Sequence, residues 1–145
     1  MNFSTNRQLA YLPVCRWLAL LLLTGALFFA LSDSAWAQAT ITVNTTTDEI
    51  NNDGDCSLRE AIESANTNFA VDACASGIGD DTILFEPALV AGGVQTINLT
   101  LFDTGLDSDE FGPTALTISS TLTIVGPSTN GITLTRGGVA NFRLF

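Results

Sequence analysis

The chain lacks histidine and lysine entirely, so its basic side chains are five arginines. Without these two residue types, a Ser–His–Asp triad and a Schiff-base lysine are both excluded. Fifteen acidic residues outweigh the arginines and give a formal net charge of −10 at pH 7. Such a surface repels the phosphates of nucleic acids and anionic lipids, so we expect no nucleic-acid partner.

The start of the chain, residues 1–37, has the three parts of a secretory signal peptide. A basic, acid-free stretch is followed by the apolar run 17–31, which is shorter than the roughly 20 residues that cross a bilayer. Ala35 and Ala37 are the small residues that a signal peptidase selects, so Gln38 would begin the mature chain. We expect export by the general secretory route to the periplasm, cell surface or exterior, with no membrane span after cleavage.

Cleavage would leave two of the three cysteines, Cys56 and Cys74, and would discard Cys15. An even number of cysteines in an oxidising compartment predicts a disulfide rather than a metal site, and two thiolates without histidine are too few for structural zinc. Closing a loop of about 18 residues would contribute roughly 3 kcal/mol by restricting the unfolded chain. The mature chain would carry three arginines against fourteen acids, a net charge of −11.

Local patterns predict a strand and then a helix. Ile41 and Val43 alternate with threonine, which is typical of a half-buried strand over residues 39–44. Ser57 and Glu60 have the spacing of a capping box, in which each side chain accepts a hydrogen bond from the backbone N–H of the other. The predicted apolar stripe of the helix consists of Leu58, Ala61, Ile62 and Ala65. The residues predicted to face away from the core are Arg59, Glu60, Glu63 and Ser64.

From Asp81 onward the pattern becomes that of short strands without helices. Apolar residues alternate, and turn residues such as Asn130-Gly131 separate the runs. Strands are predicted around Ile83 and Phe85, Ile97 to Leu101, Leu116 and Ile118, Leu122 and Ile124, Ile132 and Leu134, and Phe142 and Leu144. A sandwich, a barrel or a solenoid would fit, and outward threonine and asparagine favour the solenoid. The pattern stops inside a strand at Phe145, so we expect the start of a longer protein or a truncated reading frame.

The heptapeptide Cys-Ser-Leu-Arg-Glu-Ala-Ile at residues 56–62, followed by Ala65-Asn66, resembles the signature of the CSLREA domain. Similar flanking segments extend the resemblance from about Thr40 to the end of the chain. It implies an exported bacterial protein in which a strand–helix cap (residues 38–80) precedes the first rungs of a right-handed parallel β-helix (residues 81–145). The fold expectation is therefore mainly β. The family supplies no catalytic residues, so none is assigned.

An acidic loop before the helix partly matches a calcium-binding loop. Its candidate ligands alternate along the chain, with Gly54 at the turn: Glu49, Asn51, Asp53, Asp55 and Glu60. The first position holds glutamate in place of the shorter aspartate, and Glu60 also belongs to the capping box. We therefore prefer a solvated acidic turn at a helix N-terminus, where negative charge is favoured, and assign no metal or other cofactor.

A second acidic cluster lies in a loop rich in glycine, serine and aspartate. It consists of Asp103, Asp107, Asp109 and Glu110. Two carboxylates about 5–10 Å apart can hydrolyse a glycoside, but we expect this run to be solvated. Arg136 and Arg143 are expected to be isolated surface charges.

These observations predict a non-catalytic secreted or cell-surface β-helix module, the N-terminal part of an adhesin-like or scaffold protein. Its expected partners are surface glycans or other proteins, and its exposed C-terminal edge is expected to associate. The alternative is the N-terminal fragment of a carbohydrate-active β-helix enzyme, either a polysaccharide lyase or a glycoside hydrolase. The active site of such an enzyme would lie beyond Phe145.

Overall fold

The computed structural model describes residues 38–102, 112–138 and 140–145. The elements in these ranges are β1 (Thr40–Val43), α1 (Leu58–Thr67), β2 (Asp81–Phe85), a 3-10 helix (Pro87–Val90), β3 (Gln95–Leu99), β4 (Leu122–Ile124) and β5 (Ile132–Arg136). The predicted signal peptide lies outside the described residues, and so does the second acidic cluster of Asp103, Asp107, Asp109 and Glu110.

The strands form two small parallel sheets. β2 lies between β1 and β4 in one sheet, and β3 pairs with β5 in the other. The register places Ile41 opposite Ile83 and Ile83 opposite Ile124, so isoleucines from three strands stack in one column. Ile41 and Ile83 are fully buried, which makes this column part of the hydrophobic core. The predicted cap and the segment after residue 80 therefore share one sheet through β1 and β2.

The helix α1 packs its apolar stripe against β1 and β2. The predicted capping box is confirmed: Ser57 Oγ accepts from Glu60 N at 3.2 Å, and Glu60 Oε2 accepts from Ser57 N at 2.9 Å. The helix ends at Asn68, which adopts the left-handed conformation with φ 58°. In the described part of the chain, no helix has both the length and the apolar character needed to cross a membrane.

Two side chains of α1 expected to face away from the core are instead fully buried. Glu60 is buried because its carboxylate caps the helix, and Ser64 is buried with its hydroxyl accepting from Val71 N at 3.0 Å. Both polar groups are thus satisfied by local backbone N–H donors, which is the condition for burying them. Helical periodicity identified the apolar stripe but underestimated how far the flanking loops wrap around the helix.

The expected right-handed parallel β-helix is not observed, and the fold prediction is wrong. Within the described ranges, one three-stranded and one two-stranded parallel sheet form no closed or solenoid sheet. The predicted strands around Leu116 and Phe142 form only a short parallel pairing. It consists of a bridge between Thr114 and Arg143 and backbone hydrogen bonds from Ala115 N to Arg143 O at 2.7 Å and from Leu116 N to Leu144 O at 3.0 Å. A 3-10 helix that was not predicted follows β2 and starts with Pro87, whose fixed φ suits a first helical position.

The short extent of this pairing has a physical explanation in side-chain hydrogen bonds. Asn66 of α1 donates to Thr117 O at 2.8 Å and accepts from Ser119 N at 2.9 Å, so these backbone groups are bound by a side chain instead of a neighbouring strand. Arg59 donates to Ala115 O and Leu101 O in the same way. Polar side chains of the helix thus occupy backbone groups that a longer β-ladder would need, and the pairing stops after Leu116.

A glycine in the loop after α1 shows how closely the helix and β2 approach each other. A Cβ on Gly77 would lie 2.5 Å from Asp81 Oδ2 and 2.8 Å from both Ala65 Cα and Ser64 O. Two of these atoms belong to the helix backbone, so they cannot move aside without displacing α1. The site therefore requires the absence of a side chain.

Substituting this glycine tests that packing. We expect Gly77→Ala to destabilise the fold by about 1–3 kcal/mol through steric overlap. Gly92→Ala is the matched control because a Cβ there would meet nothing within 4 Å; it should change stability by less than about 0.5 kcal/mol. Urea unfolding followed by circular dichroism measures both, and equal midpoints for the two variants would contradict the close approach.

Candidate functional site

A disulfide organises the region around the helix N-terminus. Cys56 and Cys74, predicted to pair, are bonded in the structure, with their Cα atoms 4.9 Å apart and both residues buried. The bond holds the loop after α1 against the loop before it. As a result, Asp72 Oδ2 accepts hydrogen bonds from Asp53 N at 3.1 Å and Gly54 N at 2.8 Å.

This arrangement gathers acidic side chains into two overlapping groups. The group of Glu49, Asp53 and Asp55 and the group of Asp55, Glu60 and Asp72 each have carboxylate oxygens within 4.8 Å of one another. We call the five residues the acidic cluster. The structure therefore brings together all four acids of the predicted calcium loop and adds Asp72, which the sequence reasoning missed.

The hydrogen bonds of the acidic cluster show which oxygens are already occupied. Glu60 Oε1 accepts a hydrogen bond from Asn51 N at 3.0 Å, and Glu60 Oε2 accepts the hydrogen bond from Ser57 N that caps the helix. The Asn51 side chain, a predicted ligand, donates to Glu49 Oε2 at 2.6 Å. Asp55 Oδ1 is buried and has no hydrogen-bond partner. The geometry therefore differs from a linear calcium loop, with Asp55 shared by both groups.

The crowding of like charges changes the acidity of two members. Partial desolvation, followed by the negative charges of Asp53 and Asp55, raises the pKa of Glu49 above its ordinary range. Desolvation, followed by the charge of Asp53, raises the pKa of Asp55. In both cases the environment disfavours the ionised carboxylate. A bound cation would reverse this effect, because it would compensate the repulsion.

The chemistry of the acidic cluster is limited to what carboxylates can do. Its donor atoms are all oxygens, which suit a hard cation such as Ca²⁺, with Glu49, Asp53, Asp55 and Asp72 offering oxygens outside the helix cap. No thiolate or imidazole belongs to the cluster, so a softer metal such as zinc does not fit it. The arrangement can bind a cation or simply remain hydrated.

A buried ion pair beside the acidic cluster was also missed by the sequence reasoning. Arg59 Nε and Nη2 both donate to Asp48 Oδ1 at 2.7 Å, and the two side chains are 11% and 2% exposed. Asp48 Oδ2 accepts from Thr100 N at 2.6 Å and Leu101 N at 2.8 Å. The sequence did contain a feature that favours this ion pair: Arg59 is the single basic residue between Gln38 and Arg136.

The position of Asp72 in the sequence could have identified it as a member of the acidic cluster. It lies two residues before Cys74, and a bond from Cys74 to Cys56 brings the residues preceding both cysteines together.

Gln38, the predicted first residue of the mature chain, is exposed and donates through Nε2 to Thr82 Oγ1 at 2.8 Å. Ala35 and Ala37 lie outside the described residues.

The two distal arginines are less isolated than expected. Arg143 donates to Gly112 O at 3.2 Å and Thr114 Oγ1 at 2.8 Å. The Arg136 guanidinium lies 5.9 Å from the centroid of the Phe142 ring, a cation–π contact. Both side chains therefore stabilise the region around the Thr114–Arg143 bridge.

Two surface grooves among the described residues are mainly apolar. One, of about 300 Å³, lies beside α1 and includes Ile62, Leu101 and Phe102 with a single acid, Glu63. The other, of about 290 Å³, lies beside β2 and has no charged lining residue. Each lacks the pair of carboxylates that glycoside hydrolysis requires.

Comparison with known proteins finds no match: no protein family, curated protein or solved structure matches this chain. The resemblance of residues 56–62 to the CSLREA signature therefore stays a prediction from the sequence.

The raised pKa of Asp55 leads to a pH-dependent prediction. Between its ordinary pKa of 3.8 and the raised value, the folded state binds more protons than the unfolded state, so stability falls as pH rises through this window. Asp55→Asn removes the charge. We expect it to melt a few degrees above the wild type at pH 7 and at nearly the same temperature at pH 3, as measured by circular dichroism.

The matched control is Glu86→Gln, because Glu86 is an exposed acid without a capping hydrogen bond. Its melting temperature should follow the wild type at both pH values. A lower melting temperature for Asp55→Asn at pH 7 would show that the carboxylate is net stabilising, against our expectation.

Proposed function

We propose that this chain is a non-catalytic module of an exported bacterial protein, with a structural role in a cell-surface adhesin-like or scaffold protein. In this proposal, α1 and its flanking loops cover β1 and β2 so that this side of the sheet does not pair with other chains. The resemblance to the CSLREA signature supports the same role. Surface glycans or other proteins are the proposed partners.

The observation that carries the proposal is the disulfide. Both cysteines that remain after the predicted cleavage are used in one buried bond, and this bond pins the start of α1 to the loop that follows it. Disulfides of this kind persist in oxidising compartments, which agrees with the signal-peptide pattern of residues 1–37. The disulfide and the signal-peptide pattern both support the proposed export.

Two further observations support a structural role over an enzymatic one. The chain contains no histidine or lysine to act as a general base or Schiff-base nucleophile. The two apolar grooves also lack paired carboxylates. Nothing in the described part of the chain favours the alternative of a lyase or glycoside hydrolase.

Expression of the full chain in a Gram-negative host tests the proposal. We expect the protein in the periplasm or medium, with an intact mass that starts at Gln38. Thiol labelling under denaturing, non-reducing conditions should find no free thiol, whereas Cys74→Ser should show one labelled cysteine. A chain that stays uncleaved in the membrane, or that labels at both Cys56 and Cys74, would refute the proposal.

A second candidate function is cation binding by the acidic cluster. The observation that favours it is the buried, unpartnered Asp55 Oδ1, which lies in both groups of carboxylates. Four carboxylates outside the helix cap would supply the oxygen ligands that Ca²⁺ requires. A cation there would hold the loops on both sides of α1 together, which agrees with the structural role proposed above.

Calcium titration with a readout of melting temperature tests this second function. We expect millimolar Ca²⁺ to raise the melting temperature by a few degrees, because a ligand that binds only the folded state stabilises it. Asp72→Asn should abolish the rise while keeping an oxygen for Asp53 N and Gly54 N. Glu86→Gln should retain the full rise; no shift in the wild type would exclude the site.

A further inference from the structure

The carboxylate of Asp81 is buried and only partly satisfied. Asp81 is the first residue of β2 and is 1% exposed. Its Oδ1 accepts from Ile78 N at 2.7 Å and Ala39 N at 3.2 Å, but its Oδ2 has no hydrogen-bond partner. A carboxylate removed from water needs hydrogen bonds or an opposite charge in return. The Asp81 carboxylate therefore lacks part of the hydrogen bonding or opposite charge that would offset the cost of its burial.

No arginine of the described ranges supplies the missing charge. The ion pair found among residues 38–102, 112–138 and 140–145 joins Asp48 and Arg59. Asp80, the exposed neighbour of Asp81 in the sequence, is also acidic and supplies no positive charge. A cation for Asp81 must therefore come from a group that the side chains of this region do not contain.

The two residues that follow the predicted cleavage point are held against the start of β2. Ala39 N donates to Asp81 Oδ1, and Ala39 O accepts from Thr82 N at 2.9 Å. The side chain of Gln38 donates through Nε2 to Thr82 Oγ1 at 2.8 Å. Three hydrogen bonds with Asp81 and Thr82, two adjacent residues of β2, thus fix the path of the chain at Gln38 and Ala39.

We propose that Asp81 is the binding site for the α-ammonium group that signal-peptide cleavage creates on Gln38. The inference rests on the proposed export, with cleavage after Ala37. Successive Cα atoms are about 3.8 Å apart, so the nitrogen of Gln38 lies one residue from the N–H that already bonds to Asp81. Hydrolysis of the Ala37–Gln38 bond by water leaves a carboxylate on the leader and a protonated amine on Gln38.

This pairing makes leader removal a stabilising step. In the precursor the nitrogen of Gln38 is a neutral amide and offers Asp81 no charge. In the mature chain the same nitrogen carries a positive charge one residue from the N–H that already donates to Asp81 Oδ1, and opposite charges at this distance attract each other. The ion pair also opposes cyclisation to pyroglutamate, in which the unprotonated amine attacks Cδ of Gln38 and expels ammonia.

The absence of lysine makes the test specific, because the α-amine is then the one primary amine of the mature chain. An amine-reactive ester is applied to the processed protein, and intact mass reports the rate of labelling. Pairing favours the protonated amine, which does not react. We expect labelling about tenfold slower than in the unfolded protein, equivalent to about 1.4 kcal/mol.

The matched control inserts Gly-Ser between Ala37 and Gln38, which moves the amine two residues away and leaves the leader and the net charge unchanged. This variant should label at the unfolded rate. Asp81→Asn should label as fast as the insertion variant, and combining the two changes should add nothing further. If Asp81→Asn fails to fold, the wild type and the insertion variant still decide the result.

The outcomes separate this inference from the proposed export. A mass that does not start at Gln38 would refute the cleavage position and, with it, the pairing. A mass that starts at Gln38 with equal labelling of the wild type and the insertion variant would refute the pairing while export stands. Slower labelling of the wild type that Asp81→Asn abolishes would establish the ion pair.

Discussion

The ion pair between Asp48 and Arg59 joins four parts of the chain. Asp48 belongs to the loop before α1, and Arg59 to the first turn of the helix; together they bind backbone groups of Leu101, after β3, and Ala115, before β4. Removing one partner of such a buried pair would leave an uncompensated charge, at a cost of roughly 3–5 kcal/mol. The position of the start of the helix relative to the segments after β3 and before β4 depends on this contact.

The same constraint explains the acidic character of the region. With Arg59 committed to Asp48, two members of the acidic cluster, Glu60 and Asp72, are stabilised by backbone N–H donors. Those donors come from the start of α1 and from the loop that Asp72 binds, and the disulfide holds the two together. The result is a region rich in oxygen ligands, with raised pKa values at Glu49 and Asp55.

The predicted parts of the site were those with local causes. The capping box depends on residues three positions apart, and the disulfide prediction on an even number of cysteines after a predicted signal peptide. Asp72 and Asp81 were not predicted as site residues because their roles depend on contacts with distant residues. Asp72 meets the loop before α1 because the disulfide and a hydrogen bond from Ala73 N to Asp55 O join the two loops, and Asp81 meets Ala39 because β1 and β2 pair.

By itself, the sequence determined the strand at Ile41, the amphipathic helix, its cap and the export pattern, since each follows from residues that are neighbours along the chain. The tertiary structure decided how the strands pair and where they stop. Alternation of apolar residues predicts a strand but does not specify its partner, and around Thr117 the side chain of Asn66 binds the backbone groups that a neighbouring strand would need. The expected β-helix is replaced by two small parallel sheets because hydrogen bonds between distant residues, invisible to a local pattern, determine the pairing.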